Sequence, residues 1–435
     1  MTSPYLDSAP LVPGDTVRLI APSGPADEDS LQRAISQLEA WGLNVVPGAH
    51  LRARHPRVNY LAGTDEQRRA DLVDAWCDPT AAAVIALRGG YGAMRLLDGL
   101  DFAHLARHGL RPDGRPKLLT GSSDITALHQ AWDHHLGVAT LFCPMPGNDP
   151  FKESTVVPAE VASWLFAPWG GRELGFPPDA TGAPDAQTSN PGTPEEAAHA
   201  HPSAPGGAAR PESRTQSVDA GRENRHSASG RSPADATASR TGAAGDDSRT
   251  KWSENSADSR TISSWGLRDS RSQAQSDGTS ADTTSADTTP VTRARTLVPG
   301  TAVGRFVGGN LSLVAAGLGS PELADVRTRR ATRGPAIAML EDVDEELYRL
   351  DNLLVQLVRG GWFASADALV LGSWIDCAPI DEIEALVLDF LGEAGIPIVS
   401  EMGFGHDPDA PSTPLGVDVR LEARMGQRPR MWVER

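Results

Sequence analysis

Three segments of the sequence place reactive or glycine-rich residues directly after short apolar runs. They are RGGYG at 88–92, GSSD at 121–124 and GFGHD at 403–407. In open parallel sheets, ligands bind beyond the carboxyl ends of the strands. Loops that follow apolar strands are therefore where we expect catalytic or binding residues.

The glycine-rich segment at 88–92 is a candidate loop for binding a phosphate or a developing oxyanion. Consecutive glycines let the backbone approach a ligand closely and point N–H groups at it. The segment is not a dinucleotide fingerprint, because Arg95 stands where the third glycine would be, and no P-loop motif is present. A tight turn between a strand and a helix explains these glycines equally well.

Ser123 lies between an apolar run at 117–120 and a helix-like segment, which is the position of a nucleophile elbow. A serine at such a turn is held at the sheet edge, and the N–H of the following residue, Asp124, is free at the helix N-terminus. The motif is only half of Gly-x-Ser-x-Gly, since Ile125 replaces the second glycine. For an arbitrary sequence, a helix N-cap is the more common role of such a residue.

A base and an acid must come from later in the chain. His406 precedes a proline-bounded turn, which predicts an exposed imidazole suited to general base catalysis, although a lone loop histidine is more often only solvated. Glu341 ends an apolar run at 336–340 and is either a helix cap or an acid aimed into a cleft. Its position alone favours the cap. Asp342 and the acids at 344–346 are predicted to form a solvated first helical turn.

The elements that must position these residues alternate between strands and helices. Strands are predicted at 17–20, 43–46, 82–87, 117–120 and 138–142, and helices at 30–41, 64–76 and 125–135. Largely apolar strands between helices predict an α/β domain with a parallel sheet covered on both faces. A mixed second domain is predicted from strands at 335–340 and 368–371 and a helix at 347–357. Alternating polar and apolar residues at 413–434 predict antiparallel strands at its end.

The composition changes sharply between about Pro178 and Thr292. Within 181–290 the large apolar residues are few: Val218, Trp252, Ile262, Trp265 and Leu267. Such a segment cannot bury enough apolar surface to offset the entropy of ordering it. The sequence therefore predicts an N-terminal α/β domain at 1–170, a disordered insertion at 178–292 and a C-terminal domain at 293–435. We expect removal of about 181–290 to leave activity largely intact.

Bulk properties restrict the partners and the location. The net charge of −17 argues against nucleic acid or an anionic membrane as a partner. The widely spaced Cys77, Cys143 and Cys377 exclude a disulfide framework and a paired-cysteine zinc site. No comparable metal-ligand motif is found, so no metal or other cofactor is predicted. The lack of a secretory signal and of a long apolar segment predicts a cytoplasmic protein.

Taken together, the motifs resemble the LD-carboxypeptidases, a family of serine peptidases that includes the microcin C immunity hydrolases. The matching segments follow the family order over almost the whole chain outside the insertion: GDT at 14–16, APSG at 21–24, RGGYGAMRLL at 88–97, GSSDIT at 121–126, GGNL at 308–311, LED at 340–342, YRLD at 348–351 and GFGH at 403–406. The resemblance implies a flavodoxin-like N-terminal domain and a mixed α+β, partly barrel-like C-terminal domain.

The resemblance also implies a Ser-His-Glu triad divided between two domains. Ser123 would be the nucleophile, His406 the base and Glu341 the residue that orients the base, with the backbone N–H groups of Gly90 and Asp124 as oxyanion donors. The implied reaction releases the terminal D-alanine from a murein tetrapeptide, a small peptide substrate, without a cofactor. A homodimer is implied as well. The long insertion departs from the short interdomain connection of the family.

Two other functions fit the same residues. An amidase that detoxifies peptidyl or aminoacyl adenylates would keep the triad and change the substrate, and an aromatic side chain stacking on adenine would favour it. A catalytically silent protein could instead bind a ligand through the loop at 89–92.

Overall fold

The computed structural model describes residues 5–175, 293–321, 323 and 334–435. The predicted insertion at 178–292 lies wholly outside these residues, and the three domain limits stay predictions. The described residues on both sides of it belong to one compact unit. Among them, no helix is both long enough and apolar enough to cross a membrane.

The described elements confirm an α/β chain with two sheets. The strands are β1 Thr16–Ile20, β2 Asn44–Pro47, β3 Ala81–Ala86, β4 Leu118–Gly121, β5 Thr140–Phe142, β6 Glu173–Leu174, β7 Arg295–Val298, β8 Gly300–Asn310, β9 Ala336–Val343, β10 Ala366–Ile375, β11 Ile398–Ser400, β12 Thr413–Leu415, β13 Asp418–Ala423 and β14 Arg430–Val433. The α-helices are α1 Glu28–Ala40, α2 Asp65–Cys77, α3 Phe102–Arg107, α4 Thr126–Ala131, α5 Asp149–Glu153, α6 Val156–Leu165, α7 Leu311–Ala316, α8 Leu347–Arg359 and α9 Ile380–Leu391.

The first sheet has the order β2-β1-β3-β4-β5-β12. Strands β1 to β5 are parallel, and β12 is antiparallel to β5. The order 2-1-3-4-5 is that of flavodoxin-like sheets, as predicted. Because β1, β3 and β4 are neighbours, the loops at 21–25, 87–92 and 122–124 emerge at one edge of the sheet.

Side-chain capping hydrogen bonds explain where helices α1 and α2 begin. Thr64 begins α2 with the predicted capping box: its hydroxyl accepts from Gln67 N at 3.3 Å, and Gln67 Oε1 accepts from Thr64 N at 3.0 Å. Helix α1 begins earlier than predicted, because Asp27 accepts from Ser30 N at 2.7 Å and caps it. The helix predicted at 125–135 is interrupted, with a 3₁₀ turn before α4 and a π turn after it.

The second sheet has the order β6-β14-β13-β8-β9-β10-β11-β7. Strands β8 to β11 are parallel, and the outer strands pair antiparallel. Each half of the chain contributes an edge strand to the sheet that the other half mainly forms. Strand β6, which precedes the insertion, is in the second sheet, and β12, near the C-terminus, is in the first. The two sheets therefore cannot be separated at a single point in the sequence.

One apolar cluster packs against both sheets. It includes Leu19 and Phe142 from the first sheet and Phe306 and Val419 from the second, each at most 1 % exposed. Burial of apolar area is the main favourable term in folding. The shared cluster therefore holds the two sheets together, and it includes Phe404 from the loop that carries His406.

Strand β9 continues further than predicted. It ends at Val343, so Glu341 and Asp342 lie inside the strand and are both buried. The prediction that Asp342 belongs to a solvated helical turn is wrong, because it accepts from Asn310 Nδ2 at 2.8 Å and from Ser312 N at 3.0 Å. Burial, reinforced by the charge of Glu341, raises the pKa of Asp342.

The order of strands in the second sheet allows a more specific prediction about removal of the insertion. Strands β6 and β7, which flank it, are at opposite edges of the second sheet, seven spacings or about 34 Å apart along the sheet. A direct join of residue 180 to residue 291 leaves ten residues between these strands, which reach at most about 36 Å and would have to run almost fully extended. We expect replacement of 181–290 by a flexible linker of about 20 residues to preserve activity and the melting temperature. The direct join should lower the melting temperature. Unfolding of the long-linker variant would contradict the predicted disorder.

Candidate active site

Ser123 has the backbone of a strained strand-to-helix elbow. It begins a 3₁₀ turn one residue after β4, and its φ of 58° lies in the left-handed region that residues other than glycine rarely adopt. A Cβ atom on Gly89 would lie 3.1 Å from the Cβ and 3.3 Å from the Oγ of Ser123. The glycine loop therefore passes directly beside the half-buried hydroxyl, and a side chain at Gly89 would crowd it.

The two predicted oxyanion donors lie in the loops that meet at this elbow. Gly90 has a φ of 112°, which suits glycine, and Asp124 follows Ser123 in the 3₁₀ turn. Within the residues that the structure describes, neither backbone N–H donates to a protein acceptor. Both N–H groups are therefore available to a ligand oxygen.

The carboxylate of Asp124 has a second role that the sequence analysis did not predict. It is 1 % exposed and accepts from Ser23 Oγ at 2.5 Å and from Ala93 N at 2.7 Å. Burial raises the pKa of Asp124, although these hydrogen bonds oppose the rise. The side chain thus joins the loops after β1, β3 and β4 under the elbow. The pairing could have been suspected because Ser23 and Asp124 both stand in matching motifs.

His129 supports the elbow from α4. Its Nε2 lies 2.9 Å from the Gly121 carbonyl, and its Nδ1 lies 2.8 Å from Thr140 Oγ1. A carbonyl can only accept, so Nε2 carries the proton and Nδ1 accepts from the hydroxyl. Complete burial lowers the pKa of His129 to about 4, which keeps the imidazole neutral. Its position in the sequence gave no sign of this role.

Glu341 and His406 form a directly bonded pair in the second sheet. His406 Nδ1 lies 2.6 Å from Glu341 Oε2, and the side chains are 23 % and 0 % exposed. Any side chain on Gly405 would collide with the Glu341 carboxylate. Ser373 Oγ accepts from His406 N at 2.9 Å and fixes the loop. The helix-cap interpretation of Glu341 is therefore wrong.

The pair leaves His406 in the state that a general base requires. A carboxylate only accepts, so Nδ1 carries the proton and Nε2 keeps its lone pair. Burial alone would lower the pKa of His406, but the charge and hydrogen bond of Glu341, aided by Asp342, outweigh it and raise the pKa above 6.5. The imidazolium that forms when the base accepts a proton is thereby stabilised.

A buried hydrogen bond joins the half of the site that carries Ser123 to the half that carries Glu341. Asn310 N donates to Thr126 Oγ1 at 3.0 Å, and Asn310 pairs with Glu341 across β8 and β9. A Cβ on Gly309 would come within 2.5 Å of Thr126 Oγ1, so the close approach needs glycine. In the described chain, Ser123 and His406 are not hydrogen-bonded to each other. Both are partly exposed, and catalytic contacts often tighten only when substrate binds.

Family models and relatives identify the family of the chain. The LD-carboxypeptidase N-terminal domain matches residues 17–143, and the LD-carboxypeptidase C-terminal domain matches residues 303–421. A Streptomyces coelicolor protein assigned as a carboxypeptidase is 32% identical over 418 residues, covering 96% of this chain and 94% of that protein. A Bacillus subtilis protein assigned as a murein peptide carboxypeptidase is 26% identical, covering 94% and 89%.

Solved structures show the same fold. Muramoyltetrapeptide carboxypeptidase from Oxalobacter formigenes superimposes with a TM-score of 0.58 at 21% identity, covering 96% of this chain and 99% of that one. The microcin C7 self immunity protein MccF in complex with aspartyl sulfamoyl adenosine gives 0.61 at 17% identity, with 99% of both chains covered. Fold and family models together define a hydrolase of the serine peptidase class. The chain belongs to the LD-carboxypeptidase family, as the motifs predicted.

The His406–Glu341 pair predicts a specific pH profile. Because only the neutral imidazole can accept a proton, kcat/KM should rise with pH through an apparent pKa above 6.5. Glu341→Gln removes the charge that holds this pKa up, so its acid limb should move to lower pH. The same change should reduce the plateau by about 10³–10⁴-fold.

Asp344→Asn is the matched control for this measurement. It also removes one negative charge near the strand end, from an exposed residue with a φ of 58° that asparagine tolerates. Its profile should match wild type. An unshifted acid limb in Glu341→Gln would contradict the assignment of His406 as the base.

The buried His129 predicts a pH-dependent stability. The folded pKa of about 4 lies below the ordinary 6.5, so this stability is complete above pH 6.5 and is lost as pH falls toward 4. The loss amounts to about 3 kcal/mol. Urea unfolding across this range should show a flatter dependence of the unfolding free energy on pH in His129→Gln than in wild type. An unchanged slope in His129→Gln would refute the buried neutral imidazole.

Proposed function

We propose that this chain is an LD-carboxypeptidase that releases the terminal D-alanine from a murein tetrapeptide by a Ser123-His406-Glu341 triad. The observation that carries the proposal is the buried Glu341 bonded to a partly exposed His406, whose free Nε2 can serve as a base. The strained Ser123 beside a glycine loop supports it from the first sheet.

In this mechanism His406 Nε2 takes the proton of Ser123 as Oγ attacks the carbonyl between the L-centre and the D-alanine. The N–H groups of Gly90 and Asp124 donate to the oxyanion that develops. Collapse of the intermediate expels the D-alanine amine, to which His406 returns the proton. Water, deprotonated by His406, then attacks the acyl-enzyme and releases the shortened peptide and free Ser123.

Relatives at the sequence level favour this substrate over an adenylate. The proteins that match this chain over nearly its full length carry carboxypeptidase names, and one of them is named for murein peptide. The likeness to the microcin immunity protein lies in the fold alone. We infer that the enzyme acts in the cytoplasm on peptides from peptidoglycan recycling, as a homodimer and without nucleic acid or membrane partners.

The decisive test is mass spectrometry of a murein tetrapeptide incubated with the purified protein. Wild type should remove one alanine, and Ser123→Ala should reduce the rate by about 10⁴–10⁶-fold. Ser122→Ala is the matched control, because this neighbouring buried serine makes no side-chain capping hydrogen bond. It should keep most of the activity.

Two other outcomes would replace the proposal. An intact tetrapeptide together with hydrolysis of an aminoacyl adenylate would identify the detoxifying amidase. No hydrolysis of either substrate, and no labelling by a fluorophosphonate that depends on Ser123, would identify a silent binding protein.

A further inference from the structure

A cysteine and two histidines meet far from the catalytic loops. Cys77 ends α2, His104 lies in α3, and His108 caps the C-terminus of α3. One ligand atom from each lies within 4.8 Å of the others, and all three residues are partly buried. A metal ion would bring these atoms closer by small side-chain rotations, since zinc binds sulfur at about 2.3 Å and nitrogen at about 2.0 Å.

The two histidines have the spacing and orientation of metal ligands. Residues four apart on a helix share a face, and the two rings lie 4.4 Å apart. His108 Nδ1 lies 2.9 Å from the His104 carbonyl, which can only accept. Nδ1 therefore carries the proton, and Nε2 of His108 keeps the lone pair that binds metal. A backbone acceptor of this kind usually orients a metal-binding histidine.

The two helices hold the cluster in place. Trp76 Nε1 donates to the Leu105 carbonyl at 3.0 Å within the core, which ties α2 to α3 beside the ligands. Asp101 Oδ1 accepts from His104 N at 2.8 Å and caps α3. Burial raises the pKa of the Cys77 thiol, while the charge of Lys117 opposes this. The backbone that carries the three side chains is therefore ordered without a metal.

We propose that Cys77, His104 and His108 bind one Zn²⁺ ion, with water in the fourth position. One thiolate and two imidazoles form a donor set that suits zinc and is foreign to Mg²⁺ and Ca²⁺. Cys77 ends the helix that leads to the amino end of β3, whereas the glycine loop follows the carboxyl end of this strand, about 20 Å away. The ion therefore stabilises the contact between α2 and α3 and takes no part in hydrolysis.

Metal content and cobalt spectroscopy of the full-length protein test this site. After chelation and dialysis against Zn²⁺, wild type should retain one more zinc per chain than Cys77→Ser. The Co²⁺ form should show a thiolate-to-cobalt charge-transfer band that Cys77→Ser abolishes. Cys377→Ser, which removes another partly buried free thiol, should retain the band.

A thermal readout makes the test independent of the proposed peptidase activity. Excess Zn²⁺ should raise the melting temperature of wild type by about 3–6 °C and leave the double variant His104→Gln, His108→Gln unchanged. All variants should keep wild-type hydrolysis. Equal zinc content and equal cobalt spectra in wild type and Cys77→Ser would overturn the site. If Cys77→Ser fails to fold, the double variant decides by the same two measurements.

Discussion

The site depends on a buried hydrogen bond between strand β8 and helix α4, from the Asn310 backbone N–H to the Thr126 hydroxyl. Thr126 begins the helix that follows Ser123, and Asn310 is the register partner of Glu341. This contact therefore relates the turn that carries the nucleophile to the strand that carries the acid. It forms in a region with almost no solvent, where an unpaired donor would cost about 1–3 kcal/mol. The lack of a side chain at Gly309 lets β8 come close enough to α4 to make it.

The geometry of strand β9 explains how two adjacent carboxylates can both be buried. Successive residues of a strand point to opposite faces, so Glu341 faces His406 while Asp342 faces Asn310 and Ser312. One acid orients the base and the other anchors the strand that carries the interdomain hydrogen bond. Their separation onto two faces keeps each with its own donors. The geometry of the strand thus determines which hydrogen-bond donors each charged carboxylate meets.

Much of the organisation could be predicted from local sequence. Apolar runs, the Thr64 capping box and the alternation of strands and helices depend on neighbours along the chain, and the sheet order followed the expected topology. The edge strand β6 was not predicted, and β12, within the alternating residues predicted for the second domain, joins the first sheet instead. Each is only two or three residues long and exists because a distant part of the chain offers an unpaired strand edge.

The sequence by itself determined the reactive residue types, their order and their family, because these are properties of composition and motif. Only the tertiary structure decided which residues support them. Position along the chain favoured a helix cap for Glu341, yet the register of β9 against its neighbours places its carboxylate on His406. Likewise, His129 contacts Gly121 and Thr140 only in the folded chain. The Asp124 carboxylate binds residues 23 and 93, which folding brings to it. These contacts are made by residues that are brought together only by folding, so local patterns along the chain do not predict them.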